Sequence, residues 1–137
     1  MEKQILAGCI IFNNEGSILL LHRNTYRRQQ WEIPGGRIET GEVTSSAAIR
    51  EAKEEIGVEI EVIKKLGSKE FEEDGVIIEY TWFLSNISNE EPKITEPEKF
   101  DDIGYFSWDD LRNNISEISP NVVNLLNEYT AGRIDLL

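Results

Sequence analysis

The amino-acid sequence predicts an α/β fold, a mixed sheet with helices on its faces, and three observations predict it. Short runs rich in Val, Ile, Leu and aromatic residues, bounded by turn residues, recur on both sides of residues 43–56. Residues 43–56 instead place Ile49, Ala52 and Ile56 at helical spacing, with Gly57 where a left-handed cap ends a helix. A second helical stretch, 120–131, has Ser119 as N-cap, Pro120 at the first helical position and Gly132 past its end. Strands, helix, strands, helix is the order of a mixed sheet covered by helices.

The elements follow in order. Gln4–Asn13 reads as a strand, and Asn13–Gly16 as a turn into a Leu-rich strand, Ser17–Arg23. Asn24–Gln30 is polar and basic and reads as a loop. Trp31–Ile33 is a short extended stretch ending in the turn signal Pro34-Gly35-Gly36. After the helix, Glu59–Ser68 and Val76–Leu84 read as strands, with Asp74-Gly75 as a turn between them. Asn86–Asp101, acidic and with two prolines, is expected to be a long loop. Ile103–Trp108 reads as a strand and Asp109–Asn113 as a short helix.

A chain of 137 residues with 39% hydrophobic and 29% charged residues is expected to fold as one domain spanning 1–137. No apolar run reaches the length of a membrane span, and the opening residues lack the pattern of a secretory leader. With one cysteine, Cys9, no internal disulfide forms, so the expected compartment is the reducing cytoplasm and no membrane partner is expected. Cys9 itself reads as a small buried side chain in the first strand. The net charge of −12 argues against a nucleic-acid partner, because no basic surplus replaces counterions. It also opposes binding of a phosphate substrate, unless clustered carboxylates recruit divalent cations that meet the substrate.

Such a cluster is present. On a helix, Glu54 and Glu55 lie about 60° and about 40° to either side of Glu51, so three carboxylates share one face. Ile49, Ala52 and Ile56 fall on the opposite face, which packs on the sheet. Like charges at these spacings weaken a helix, and Lys53 points elsewhere, so the oxygens suit a hard cation. A solvated acidic face is the competing explanation of such a run, and the residues upstream decide against it.

Gly36-x₅-Glu42-x₇-Arg50-Glu51-Ala52-x-Glu54-Glu55-x-Gly57-Val58 resembles the Nudix box, the signature of Nudix hydrolases of the MutT type. Trp31-Glu32-Ile33-Pro34-Gly35-Gly36 resembles the family's entry to that box, which here spans 36–58. The resemblance implies a Nudix α/β/α sandwich with a mixed sheet and a loop–helix–loop catalytic unit. It also implies Mg²⁺, with Mn²⁺ as a substitute, and cleavage of a nucleoside diphosphate linked to another group. By position, Glu51, Glu54 and Glu55 are expected to be the principal metal ligands and catalytic carboxylates, with the Gly35 carbonyl as a backbone ligand. Glu42 is expected to brace the loop or act through metal-bound water. Arg50 is similar to the family arginine that orients a catalytic glutamate, and its spacing to Glu54 agrees. The metals are expected to neutralise the diphosphate and to activate the attacking water, whose proton a carboxylate accepts. Glu51 and Glu55 are candidates for that base. Glu96, and less so Glu98, resembles an acidic ligand that the family can place on a loop outside the box.

Arg23 and Arg28, with Arg27 beside them, sit where they would meet phosphates that the metal leaves unpaired. Arg23 leads because a strand end fixes it. Asn121 resembles an asparagine near the last helix that reads the base in MutT-type enzymes; plain helix capping is its alternative role. The aromatic residues at alternating strand positions read as core, and His22 as a strand-end residue. ADP-ribose enzymes of the family often carry a proline downstream of the box, but here none lies between Pro34 and Pro92. By elimination the expected substrate is a nucleoside triphosphate, with or without a modified base, cleaved to monophosphate and pyrophosphate. ADP-ribose or a nucleotide sugar is the first alternative, and a non-catalytic nucleotide sensor the second. The expected state is a monomer or a homodimer.

Overall fold

The computed structural model describes residues 1–137. Strands β1 (Lys3–Ile10) and β2 (Ile18–Asn24) are joined through a turn in which Asn13 Oδ1 accepts from the amides of Glu15 and Ser17 at 3.0 and 2.9 Å. Strand β3 (Gln29–Glu32) pairs antiparallel with β2, so the segment Asn24–Gln30 is a loop only as far as residue 28. Strand β4 (Gly35–Arg37) pairs antiparallel with β1, in register Gly8 opposite Gly35. The Pro34-Gly35-Gly36 turn signal therefore marks a strand. Two glycines are chosen there for close approach of neighbouring groups rather than for a reversal.

Helix α1 (Thr44–Ile56) begins after Val43, which makes no side-chain cap, and ends at Gly57 in the left-handed region, φ 71°, as its position predicts. Strands β5 (Ile60–Glu73) and β6 (Val76–Ile87) form a long antiparallel hairpin. Its turn places Asp74 at φ 53° and Gly75 at φ 76°, the geometry of a two-residue hairpin turn. Strand β5 outruns its expected end at Ser68. Lys69, Glu70 and Glu72 face solvent while Phe71 and Glu73 turn inward, and pairing with β6 supplies the backbone partners. Strand β7 (Phe100–Phe106), short helix α2 (Trp108–Asn113) and helix α3 (Pro120–Thr130) complete the chain. Ser107 caps α2 in a capping box with Asp110, and Ser119 caps α3.

The strands form two sheets, ordered β4-β1-β6-β5 and β3-β2-β7. The β1–β6 pair is parallel and the rest antiparallel, so the arrangement is mixed. The period of two sorts β1 and β2 between two cores. Ile10, Ile18 and Leu20 pack with Trp82, Leu111, Val122 and Leu125 under α2 and α3. Cys9, Ile11, Leu19 and Leu21 pack with Ala52, Ile56 and Phe100 under α1. Burial on both faces explains why β2 reads Ile-Leu-Leu-Leu without alternation. Cys9 is wholly buried, as its strand position predicts. No helix is long and apolar enough to cross a membrane.

Candidate active site

Between the two sheets lies a cavity of about 540 Å³, and α1 and β4 form one of its walls. Glu51, Glu55, Gly35 and Gly36 line it there. Across from them stand Arg23, Arg28, Glu32 and Glu73, and Asn121 and Ser119 line it at the start of α3.

The three box glutamates meet three different environments. Glu55 is buried, 6% exposed, and its Oε1 accepts from the Gly35 amide at 2.8 Å. Glu51 lies half-buried against Gly36; a methyl group on that glycine would come within 2.5 Å of the Glu51 carboxyl carbon. A side chain at Gly36 would displace the Glu51 carboxylate, which gives the first glycine of the box its reason. Glu54 keeps its side chain 52% exposed. The expectation that all three face water thus fails for Glu55. The docking of α1 turns one edge of the acidic face into the Gly35–Arg37 strand and leaves the other edge outside.

Arg50 ties the wall together. Its guanidinium donates to Glu42 from Nε at 2.9 Å and from Nη2 at 3.0 Å, to Glu51 at 2.9 Å and to the Arg37 carbonyl at 2.9 Å. Of its hydrogen bonds, those to Glu54 are the longest, 3.4 Å. Arg50 therefore orients Glu51 and Glu42 more than Glu54, which the i,i+4 spacing had favoured. The fork geometry matches the Glu42 carboxylate with two bonds, and this holds Glu42 below the usual carboxylate range.

The electrostatics separate the carboxylates further. Burial pushes Glu55 well above the usual range, against the Gly35 hydrogen bond that lowers it, and the charges of Glu51, Glu96 and Glu32 add to the rise. Burial also raises Glu51, opposed by Arg50, with Glu54 and Glu96 adding to the rise. The charge of Glu96 is thus felt by the cluster from outside the box, although its carboxylate pairs with Lys99 at 3.3 Å. The loop that carries it is strapped to the end of α1, where the amides of Lys93 and Thr95 donate to the carbonyls of Ile56 and Glu55. Glu98 is exposed. No three acidic side chains converge on one point, because Glu51 and Glu55 take the protein's own donors. The donor set itself suits a hard divalent cation: every side-chain donor is oxygen, two carboxylates are desolvated, and the charge of Glu51 raises Glu55.

The predicted substrate residues line the same cavity, but the arginines arrive paired. Arg23 Nε donates to both oxygens of Glu32 at 3.0 Å, and its guanidinium lies 4.9 Å over the Phe100 ring. Arg28 pairs with Glu73 at 3.3 Å and with Asp74 at the hairpin turn. Arg27 is exposed and lines nothing. Asn121 is buried and its Oδ1 accepts from Trp82 Nε1 at 2.9 Å. Indole can only donate, so the oxygen is fixed on Trp82 and the NH₂ is the end left for the cavity. Capping α3 falls to Ser119, whose hydroxyl accepts from the Val122 amide at 3.2 Å. Asn121 is thus free of the capping role. Sequence reasoning missed Glu32, Glu73 and the Tyr80 hydroxyl. Glu32 carried a local signal, a carboxylate between Trp31 and Ile33 in a short strand, whereas Glu73 is brought to the site only by the β5–β6 register.

The NUDIX domain family model matches residues 2–126. The chain belongs to the NUDIX family. The family's MutT-type fold is also found among solved structures. The MutT NUDIX hydrolase from Burkholderia pseudomallei superposes with a TM-score of 0.81 at 25% identity, covering 93% of this chain and 98% of that one. The CTP pyrophosphohydrolase of Escherichia coli is 35% identical over 85 residues, 60% of this chain and 63% of that protein. The RNA pyrophosphohydrolase of Pelagibacter ubique is 26% identical over 119 residues, 77% of this chain and 75% of that protein. Against the first curated relatives it matches, the chain spans from 18% to 63% of their length. NUDIX hydrolases generally use divalent metal ions.

Proposed function

We propose that this chain is a Mg²⁺-dependent NUDIX pyrophosphohydrolase that splits a nucleoside triphosphate, with an ordinary or modified base, into nucleoside monophosphate and pyrophosphate. One observation carries the reading. A single cavity joins the desolvated carboxylates Glu51 and Glu55 to the amide of Asn121, whose donor end is set by Trp82. Such a cavity has a place for polyphosphate at one end and for a base acceptor at the other. The likeness to a CTP pyrophosphohydrolase supports the same class of substrate.

The residues then divide the work. Glu51, Glu54 and Glu55, with the Gly35 carbonyl and Glu96, would hold Mg²⁺ or Mn²⁺, which supplies positive charge to the polyphosphate and Lewis acidity to the reaction. Arg50 holds Glu51 and Glu42 in place. Arg23 and Arg28 meet phosphate oxygens, and Asn121 Nδ2 donates to an acceptor on the base. Water adds to phosphorus, pyrophosphate leaves, and the products are the monophosphate, pyrophosphate and the released proton. We further propose one domain over residues 1–137, working as a monomer or homodimer in a reducing cytoplasm.

A panel of nucleoside triphosphates, ADP-ribose, nucleotide sugars and 5′-triphosphate RNA, assayed with Mg²⁺ for released pyrophosphate and phosphate, tests the reading. The expected result is the highest kcat/KM for a free triphosphate. ADP-ribose or a nucleotide sugar exceeding every triphosphate by about tenfold, about 1.4 kcal/mol of transition-state preference, would overturn the substrate and leave the family chemistry standing.

A further inference from the structure

Tyr80 lies on β6, parallel to β1, with its ring in the core under α2 and α3. Its hydroxyl is the one buried side-chain polar atom without a hydrogen-bond partner. The space that it fills is kept open by two glycines paired across β1 and β4. A methyl group on Gly8 or on Gly35 would stand 2.1 Å from the hydroxyl oxygen. The two positions therefore admit Tyr80 only because neither bears a side chain. A buried hydroxyl without a partner is unfavourable, and phenylalanine would fill the same core at no such cost.

The neighbourhood names the partner. Gly35, which the hydroxyl touches, is the residue whose amide donates to Glu55 Oε1. Burial holds the Tyr80 hydroxyl well above the usual phenol range, and the Glu55 carboxylate adds to the rise. Glu55 accepts from that amide alone, so its second oxygen has no protein donor. The hydroxyl is buried, while the Tyr80 side chain borders the same cavity as Glu55 and Gly35. We propose that Tyr80 is a positioning residue for Glu55: its hydroxyl donates to the Glu55 carboxylate when that carboxylate holds a divalent cation, and so fixes the side chain in its working orientation. This inference rests on Glu55 being a metal ligand.

The test is Tyr80→Phe beside the wild type, read three ways: melting temperature without metal, Mn²⁺ affinity by titration, and kcat and KM with a nucleoside triphosphate. The expected variant melts at or above the wild-type temperature, binds Mn²⁺ about tenfold more weakly, and loses about tenfold in kcat with KM held. A structural hydroxyl would lower the melting temperature and spare the other two. Wild-type Mn²⁺ affinity and kcat in the variant would overturn the proposal, as would a change confined to KM, which would mean that the hydroxyl serves the substrate. A wild-type protein that neither binds Mn²⁺ nor turns over would instead overturn the reading of Glu55 on which the proposal rests.

Discussion

The two walls of the cavity both carry charge, but they hold it in opposite ways. On the α1 wall, Glu42, Glu51 and Glu54 share one strong cation, Arg50, while Glu55 accepts only from the Gly35 amide, and burial pushes Glu51 and Glu55 upward. On the facing wall, each arginine has its own carboxylate: Arg23 with Glu32, and Arg28 with Glu73 and Asp74. The first wall has a surplus of negative charge that a cation relieves. The second is close to neutral. Under the proposed function, the difference would let an acidic protein accept a polyphosphate without a basic surface: one wall would gather metal, and the other would need only to shape and hold.

The largest expected effect comes from weakening the first wall. Glu55→Gln keeps an oxygen for the Gly35 amide but removes the charge, so kcat falls by about 10²-fold or more. Steady-state kinetics at saturating Mg²⁺ measure it, and a wild-type kcat would remove Glu55 from the catalytic group. Next comes the base end of the cavity. Asn121→Asp keeps an acceptor for Trp82 Nε1 but replaces the NH₂ donor with an oxygen. We expect kcat/KM for the preferred triphosphate to fall by about tenfold, mostly in KM, with preference among bases altered. An unchanged rank order of nucleotides would take Asn121 out of base reading. A smaller effect belongs to the neutral wall. Glu32→Gln frees Arg23 from its carboxylate, so KM for a triphosphate should fall slightly in low salt, by about two- to threefold, and this gain should vanish in high salt. A rise in KM would mean that the pair, and not the free cation, is what the substrate needs.

The smallest effect is one of stability and pH. Folding raises the pKa of Glu55, so the folded chain holds that proton more tightly than the unfolded one. Its contribution is therefore complete below the ordinary carboxylate value and is lost as pH rises through the raised one. Glu55→Gln removes this penalty at neutral pH. The variant should melt above the wild type at about pH 7.5, and the gap should close toward about pH 5. Thermal melts across that range check it, and a gap that widens in acid would contradict the sign.

Much of this contrast was legible in the sequence, and unevenly. The spacing from Gly36 to Val58 placed the carboxylates on one helix, Gly57 ended that helix where it should, and the Leu-rich run read as a strand is β2. Local chemistry set all of these. What sequence could not show depends on docking. Glu54 and Glu55 are neighbours on one face of a lone helix, yet only the seating of α1 against β4 decides that Glu55 goes in and Glu54 stays out. The partners of Arg23 and Arg28 were hidden for the same reason. Glu32 arrives through the β2–β3 pairing, and Glu73 and Asp74 through a hairpin turn 45 and 46 residues downstream of Arg28. Asn121 was ambiguous between cap and reader until Ser119 took the cap and Trp82 took the oxygen.

The central claim is that the surplus of carboxylate on the α1 wall exists to hold a divalent cation for cleavage. Its most direct test is hydrolysis of a nucleoside triphosphate before chelation, after exhaustive EDTA treatment and dialysis, and after Mg²⁺ is restored. The account predicts that turnover disappears with the metal and returns with Mg²⁺ or Mn²⁺, while Ca²⁺, larger and looser in its coordination, supports it less. Full turnover in the rigorously chelated protein would contradict it.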